Sequence, residues 1–142
     1  MKARDVMSKS LVSVAPNDTV ERAAILMKEY NIGSIPVCSG DRLVGIVTDR
    51  DITLRAVSSG ADTTHETVNS VMTNNPVTAS PDMSVEDISR IMSQQQIRRI
   101  PIVENGRVVG IVALGDLATE PKADEKAGHS LSDISQHGNS GF

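Results

Sequence analysis

A tetrapeptide that occurs twice, as Val44-Gly45-Ile46-Val47 and as Val109-Gly110-Ile111-Val112, marks the internal repeat that decides the fold. The two copies lie 65 residues apart, and the same offset aligns residues 6–52 with residues 71–117 without a gap. Sixteen of the 47 aligned pairs are identical, and many identities fall on prolines, glycines and apolar runs. A gapless match of this kind indicates that one structural unit was duplicated.

Each copy predicts the same order of elements, which is strand, helix, strand, strand, helix. In the first copy Val12-Ser13-Val14 alternates as a short strand, and Thr19 belongs to a group of helix-capping residues. Val20, Ala24 and Met27 follow at i, i+4 and i+7, a spacing that predicts the buried face of a helix. The second copy marks this face with Val85, Ile88, Ile91 and Met92.

Two β-branched runs after this helix predict a hairpin. In the first copy they are Ile35-Pro36-Val37 and residues 43–47, separated by the turn residues Ser39-Gly40-Asp41. The second run is apolar on both faces, so we expect it to be a central, buried strand. A second helix is predicted from Asp49 to about Val57. The fold class is therefore α/β (α+β), built from two β-α-β-β-α units.

The composition along the chain predicts the domain boundaries. We assign residues 1–57 to the first repeat, residues 58–67 to a polar linker and residues 68–118 to the second repeat. Residues 119–142 form a polar tail that we expect to be disordered. Because one unit has too little core to stand alone, the two repeats are expected to pack with pseudo-twofold symmetry.

Charge and composition argue against several classes of function. The net charge is −4, and Tyr30 and Phe142 are the only aromatic residues, so neither bulk positive charge nor base stacking supports nucleic-acid binding. No segment approaches the apolar length that spans a membrane. Cys38 is the only cysteine, which excludes an internal disulfide and fits a reducing, cytoplasmic location.

Catalytic and metal-binding patterns are not found either. The three histidines His65, His129 and His137 match no zinc spacing, and no cysteine pair accompanies them. The sequence has no nucleophile–base arrangement, Walker-type loop or nucleophile elbow. We therefore predict no catalytic residues, no metal site, no required cofactor and no enzymatic activity.

The unit order, the Ile-Pro runs and the motif Gly45-Ile46-Val47-Thr48-Asp49-Arg50-Asp51 resemble CBS domains. Two such domains in tandem resemble a Bateman module of the stand-alone bacterial type, over about residues 1–118. The resemblance implies clefts between the repeats that bind adenosyl compounds, which are AMP, ADP, ATP or S-adenosylmethionine. It also implies a homodimer that pairs through helices and regulates an unidentified protein partner.

The resemblance places the better nucleotide site at Thr48 and Asp51. The Thr48 hydroxyl and the first helical N–H groups would face a phosphate, and the Asp51 carboxylate would bind the ribose hydroxyls. The alternative is that Thr48-x-x-Asp51 only caps a helix. The second repeat keeps the acid as Asp116 but has Ala113 in place of the hydroxyl, so we expect two unequal sites.

Two further stretches are implied as ligand contacts. Gly33-Ser34-Ile35-Pro36 matches the stretch that lines the adenine pocket, with Ile35 packed on the adenine face; its alternative is a core strand with an edge proline. Arg98-Arg99 replaces Gly33-Ser34 in the second repeat and would reach phosphates. The alternative is a pair of solvated surface arginines or salt bridges to Asp or Glu. Arg50 is a weaker phosphate candidate.

These observations predict a regulatory sensor of adenosyl nucleotides that acts on a partner protein. A different class of function, a dimeric interaction scaffold without a ligand, remains open. A third possibility is a stress-responsive or redox protein that uses Cys38, although a buried structural thiol is the alternative for that residue.

Overall fold

The computed structural model describes residues 1–117, which form two compact units. One unit is Val12–Pro76, called here the first-repeat unit. The other joins Met1–Leu11 to the chain from Val77 onward and is called the second-repeat unit. The predicted disordered tail, residues 119–142, lies outside the described residues.

The first helix, the hairpin and the second helix of each copy lie in the predicted order, but the first predicted strand of each copy is only an isolated bridge. The helices are α1 (Ala3–Val6), α2 (Val20–Tyr30), α3 (Asp49–Asp51), α4 (Val68–Val71), α5 (Val85–Gln95) and α6 (Leu114–Leu117). The strands are β1 (Ser34–Ser39), β2 (Arg42–Thr48), β3 (Thr73–Asn74), β4 (Arg99–Glu104) and β5 (Arg107–Ala113). A π-helical segment, Ile52–Val57, continues α3. The predicted second helix is therefore confirmed, and its last six residues have π-helical instead of α-helical winding. None of the helices in residues 1–117 is long and apolar enough to cross a membrane.

In the first-repeat unit, β2 is the central strand, as predicted from its apolar sequence. β1 pairs with it antiparallel along one edge, and β3 pairs along the other edge, where Gly45 is opposite Asn74. Gly40 occupies the turn between β1 and β2 at φ +66°, which suits the first central position of a two-residue hairpin. The largest fully buried side chains of this unit come from α2, the two hairpin strands and α4; they are Val20, Ile35, Val37, Val47, Val68 and Val71.

The buried face of α2 differs at one position from the predicted face. Val20 and Met27 are buried as expected, but Ala24 is exposed. Ala23 and Leu26 are buried instead. At 3.6 residues per turn these four buried residues share one arc of the helix, and Ala24 lies just beyond its edge. The prediction for Ala24 was therefore wrong.

The predicted strand Val12-Ser13-Val14 is reduced to a single bridge beside β1. The Val14 N–H donates to the Pro36 carbonyl at 3.1 Å, and the Cys38 N–H donates to the Val14 carbonyl at 2.8 Å. On this side of β1 the Pro36 carbonyl accepts a hydrogen bond. No ladder hydrogen bond there requires the N–H group that proline lacks. Pro36 is thus accommodated in a core strand because that edge carries only one bridge.

The second-repeat unit contains the same hairpin, formed by β4 and β5 in antiparallel register. Asn105 and Gly106 connect them with φ values of 54° and 80°, the positive pair that a type I′ turn requires. α5 packs its predicted face on this hairpin, with Val85, Ile88 and Met92 buried.

Each unit is completed by the opening segment of the other sequence repeat. In the second-repeat unit Ser8 and Ile111 exchange two backbone hydrogen bonds of 2.8 and 2.9 Å. In the first-repeat unit the equivalent residue Thr73 is opposite Ile46 in β2. The boundaries of the compact units therefore differ from those of the sequence repeats. Residues 1–11 belong to the second-repeat unit, and the residues up to 76 belong to the first-repeat unit.

Gly45 and Gly110 are where these opening segments approach closest. A Cβ atom on Gly45 would lie 2.7 Å from the Met72 sulfur and 2.9 Å from the Thr73 carbonyl oxygen. A Cβ atom on Gly110 would lie 2.5 Å from the Met7 sulfur and 2.8 Å from its Cγ. The recurrence of Val-Met and of Val-Gly-Ile-Val in both copies thus reflects one contact made twice.

Candidate functional site

The junction between β2 and α3 is closed by two reciprocal hydrogen bonds between Thr48 and Asp51. The Thr48 hydroxyl oxygen accepts from the Asp51 N–H, and Asp51 Oδ2 accepts from the Thr48 N–H, both at 3.0 Å. Each residue is only 8% exposed. This is a capping box, so the helix-capping interpretation of these two residues is correct as far as it goes.

The first N–H groups of α3 are already paired, which corrects the expectation that they face a phosphate. The Asp49 N–H donates to the Gly33 carbonyl at 2.9 Å, and the Arg50 N–H donates to Asp49 Oδ1 at 2.8 Å. The Asp51 N–H is used by Thr48. The Gly33 carbonyl, just before β1, and the Asp49 carboxylate thus satisfy donors that the helix start would otherwise offer. A phosphate at this junction needs side-chain donors.

The Asp51 carboxylate keeps acceptor capacity for a ligand. Its Oδ2 accepts the Thr48 N–H, and the Thr73 hydroxyl lies 3.4 Å from both oxygens. Arg55 Nη1 lies 3.9 Å from Oδ1, a loose ion pair. A carboxylate has about four acceptor positions, so Oδ1 in particular can accept a further hydroxyl. The hydroxyl of Thr48 also keeps its proton as a donor.

Arg55 and Thr73 are components of this junction that the sequence reasoning did not select. Arg55 Nη1 donates to the carbonyls of Val71 and Met72, both at 3.1 Å, at the C-terminal end of α4. It therefore connects the Asp51 carboxylate to the segment that lies over Gly45. The i, i+4 spacing of Asp51 and Arg55 was a usable signal, whereas Thr73 is 22 residues away from Asp51 in sequence.

The predicted adenine stretch lies beside the same junction. Ser34 is opposite Thr48 in the strand register and is buried, and an added Cβ on Gly33 would lie 3.1 Å from Asp49 Oδ2. Ile35 is 0% exposed, so the core-strand interpretation describes its side chain and the expected packing on an adenine face is not available in this conformation. The structure thus brings Gly33–Pro36, Thr48 and Asp51 together at one end of the hairpin.

The second-repeat unit gathers Arg98, Arg99 and Asp116 at the equivalent junction. Asp116 Oδ2 accepts from the Ala113 N–H at 2.8 Å, and the Leu114 N–H donates to the Arg98 carbonyl at 2.8 Å. Arg99 is opposite Ala113 in the strand register. The Arg98 side chain is exposed and that of Arg99 is half-buried. The acid of the second repeat therefore also caps its helix.

The other chemical groups considered from sequence have local structural roles. Cys38 is buried, and burial together with the charge of Asp41 raises the pKa of its thiol. In the linker, hydrogen bonds from Thr64 and His65 lower the pKa of the exposed Asp62 to about 2. Within residues 1–117, no group of three or more His, Cys, Asp or Glu side chains is arranged to hold a metal ion.

Comparison with known proteins identifies the family. The CBS domain model matches residues 3–57 and 68–122, so the chain belongs to the CBS domain family and contains two CBS domains. It is 47% identical over 132 residues to the CBS domain-containing protein YhcV of Bacillus subtilis, which covers 93% of this chain and 94% of that protein. The family resemblance and the fold class are thereby confirmed.

Two similar solved structures contain adenosyl compounds. The CBS domain pair of protein MJ0100, in complex with 5′-methylthioadenosine and S-adenosyl-L-methionine, has a TM-score of 0.72, 30% identity and coverage of 84% of this chain and 94% of that chain. CBSX2 in complex with AMP has a TM-score of 0.72, 27% identity and coverage of 83% and 93%. The matched regions are CBS domains, so these comparisons indicate no enzymatic domain.

Proposed function

We propose that this protein is a regulatory sensor that binds an adenosyl ligand, AMP, ADP, ATP or S-adenosylmethionine, and acts on a partner protein. The observation that carries the proposal is the buried Asp51 carboxylate. One of its oxygens is held by the Thr48 N–H at 3.0 Å, and the other has only long contacts to Thr73 and Arg55. A fixed carboxylate with an available oxygen suits the hydroxyl pair of a ribose.

The phosphate end of the ligand is assigned to side chains. Because the N–H groups that begin α3 are paired within the protein, the Thr48 hydroxyl is the remaining donor at that junction. Arg98 and Arg99 are the cationic candidates in the second-repeat unit, and Arg50 is an exposed one in the first-repeat unit. Guanidinium groups bind phosphates bidentately. These arginines therefore favour AMP, ADP or ATP as the ligand over S-adenosylmethionine, which has no phosphate.

A regulatory role follows from the way a ligand would act on such a protein. Binding shifts the population of two arrangements only by the difference in affinity for them. The output therefore requires a partner that distinguishes those arrangements. A single cysteine with no internal partner fits a reducing compartment, and we place the sensor in the cytoplasm.

A ligand-free interaction scaffold is the second candidate, and the capping box favours it. The reciprocal bonds of Thr48 and Asp51 explain both residues without a ligand, and Asp116 performs the same capping in a copy that lacks the hydroxyl. The two candidates differ in whether the Asp51 carboxylate has any use beyond the cap.

Isothermal titration of the full chain with AMP, ATP and S-adenosylmethionine distinguishes the two. The sensor proposal expects binding of at least one compound, and Asp51→Ala should weaken it at least about tenfold, the loss of a charge-assisted contact. Asp116→Ala is a matched control because it also removes a carboxylate that caps a helix N–H. It should change the affinity less than about threefold.

Asp51→Asn separates capping from ligand contact at the same position. The amide oxygen can still accept the Thr48 N–H, but the amide nitrogen cannot accept a ribose hydroxyl. The thermal stability should thus stay near that of the wild type while the affinity falls as in Asp51→Ala. If the wild type binds none of the three compounds, the sensor proposal is contradicted and the ligand-free scaffold is the remaining candidate.

A further inference from the structure

One guanidinium nitrogen connects the Asp51 junction to the end of α4. Arg55 lies in the π-helical segment, and its Nη1 donates to the carbonyls of Val71 and Met72, both at 3.1 Å. The same atom lies 3.9 Å from Asp51 Oδ1, too far for a hydrogen bond. Carbonyls at the end of a helix have no partner within the helix, so an arginine is a suitable donor for them. Arg55 therefore attracts the carboxylate by charge and leaves Oδ1 able to accept a ligand hydroxyl.

Thr73 brings the same part of the chain to the carboxylate directly. Residues 68–74, called here the α4–β3 segment, include α4 and β3. The Thr73 hydroxyl lies 3.4 Å from both oxygens of Asp51, and Thr73 is opposite Ile46 in β2. The segment thus meets Asp51 in two ways, through Thr73 and through Arg55. Because both contacts are long, their strength depends on how the carboxylate is oriented.

The second repeat shows that the fold does not need an arginine at this place. The 65-residue offset aligns Arg55 with Glu120, and an ionised carboxylate cannot donate to carbonyls at a helix end. The opening segment of the first repeat nevertheless lies against Gly110, as the α4–β3 segment lies against Gly45. Arg55 therefore has a use of its own, and it stands at the junction that has the Thr48 hydroxyl.

We propose that Arg55 is a positioning residue for the Asp51 carboxylate and links ligand binding there to the stability of the α4–β3 segment. This role rests on the proposed function, since the ligand is the ribose of an adenosyl compound. Ribose hydroxyls bound to Asp51 fix the carboxylate, and Arg55 and Thr73 then pay less entropy when they pair with it. Ligand and segment stabilise each other by the same factor in both directions. The first-repeat unit ends at Pro76, two residues beyond β3, so the segment leads directly into the second-repeat unit.

A double-mutant cycle with two ligands tests this role. In isothermal titration of the full chain, Arg55→Met should weaken adenosine and AMP alike, each about threefold, the size expected for a half-exposed ion pair. In an Asp51→Ala background the same change should have no effect, because Arg55 acts only through that carboxylate. Arg55→Lys keeps a charge and donors and should recover part of the loss. Arg22→Met, which changes an exposed arginine of α2, is the control and should bind like the wild type.

The same titrations identify the competing explanation. A direct contact between Arg55 and a phosphate would give a larger loss with AMP than with adenosine. It would also give a loss that persists in Asp51→Ala. Either result would overturn the positioning role.

Hydrogen exchange without a ligand tests the link separately from nucleotide binding. Asp51→Asn keeps an acceptor for Thr73 but loses the charge that attracts Arg55. It should speed the exchange of the amides of residues 72–74 about threefold in the wild-type background and leave it unchanged in Arg55→Met. Asp116→Asn is the matched control and should leave these amides unchanged. In the wild type saturated with AMP they should exchange more slowly, and Arg55→Met should remove most of this protection.

The two measurements distinguish this role from the proposed function. If the wild type binds no adenosyl compound but the exchange cycle shows coupling, the sensor proposal fails and the link between Asp51 and the α4–β3 segment stands. If AMP binds but Asp51→Asn changes the exchange equally with and without Arg55, the sensor proposal stands and the role of Arg55 is refuted.

Discussion

The two strand-to-helix junctions carry the same acid at equivalent positions but differ in the residue that pairs with that acid. At the first, Thr48 and Asp51 exchange two hydrogen bonds. At the second, Asp116 accepts the Ala113 N–H, and the alanine offers no hydroxyl in return. Both acids therefore have a structural role in starting a helix, whatever else they do.

This comparison shows that the acid of the motif is weak evidence for a ligand when taken alone. At the first junction the Thr48 and Thr73 hydroxyls and the Arg55 guanidinium lie around Asp51. Hydroxyls and a cation around a buried carboxylate hold it in one orientation. The ligand hypothesis for the first-repeat unit thus rests on the surroundings of Asp51 and less on the motif.

The largest predicted difference concerns the glycines that precede the two junctions, Gly45 and Gly110. A Cβ on Gly45 would meet the Thr73 backbone oxygen at 2.9 Å, which cannot move without the paired strand β3. On Gly110 the three nearest atoms would all belong to the Met7 side chain, whose far end is flexible. We expect Gly45→Ala to lower the free energy of unfolding by about 3 kcal/mol and Gly110→Ala by about 1 kcal/mol, measured by urea denaturation.

A second substitution checks the cause of this difference. Gly110→Ala/Met7→Ala removes the two closest contacts at Gly110 and leaves the Cβ of residue 7 at 3.1 Å. The added loss from the glycine change should therefore become smaller, although loss of the thioether packing has its own cost. Gly45→Ala/Met72→Ala should remain strongly destabilised, because the carbonyl of Thr73 is still in place. Equal losses for the two single variants would show that backbone contact does not distinguish the two sites.

Much of the fold was predictable because the duplication provides every local signal twice. The hairpin turn at Gly40, the central position of β2 and the buried face of α5 were all recovered from pattern and composition. These features depend on residues close in sequence. A second copy with different side chains then separates the positions that the fold needs from those that vary.

The parts that were missed depend on contacts between residues far apart in sequence. The contact of Met7 with Gly110 joins the start of one copy to a strand of the other, and no local pattern marks it. Thr73 reaches Asp51 in the same way. The paired N–H groups at the start of α3 were also missed, because the Gly33 carbonyl that accepts one of them is positioned by the tertiary structure.

A reciprocal exchange at the junctions sharpens the comparison with an effect of about 1 kcal/mol. Thr48→Ala removes the hydroxyl that accepts the Asp51 N–H and should lower the free energy of unfolding by about 1 kcal/mol. Ala113→Thr adds a hydroxyl three residues before Asp116, the spacing of Thr48 and Asp51, at a position that is only half-buried. We expect a gain of about 0.5 kcal/mol in urea denaturation. A loss in Ala113→Thr would mean that the two junctions are less alike than their backbones indicate.

The smallest expected effect comes from Cys38, whose equivalent in the second repeat is Val103. Both residues follow a shift in strand register at the same place in their hairpins, between Val37 and Cys38 and between Ile102 and Val103. The equivalent position of the second repeat thus already contains valine. Cys38→Val should therefore change the free energy of unfolding by less than about 1 kcal/mol.

The same variant tests the redox hypothesis. Burial and the charge of Asp41 raise the pKa of the Cys38 thiol, so little thiolate forms at neutral pH. The native protein should therefore react slowly with a disulfide reagent and rapidly once urea unfolds it. Cys38→Val should retain the wild-type affinity for adenosyl ligands. Fast modification of the folded protein, or loss of binding in Cys38→Val, would show that this position differs from Val103 in function as well as in side chain.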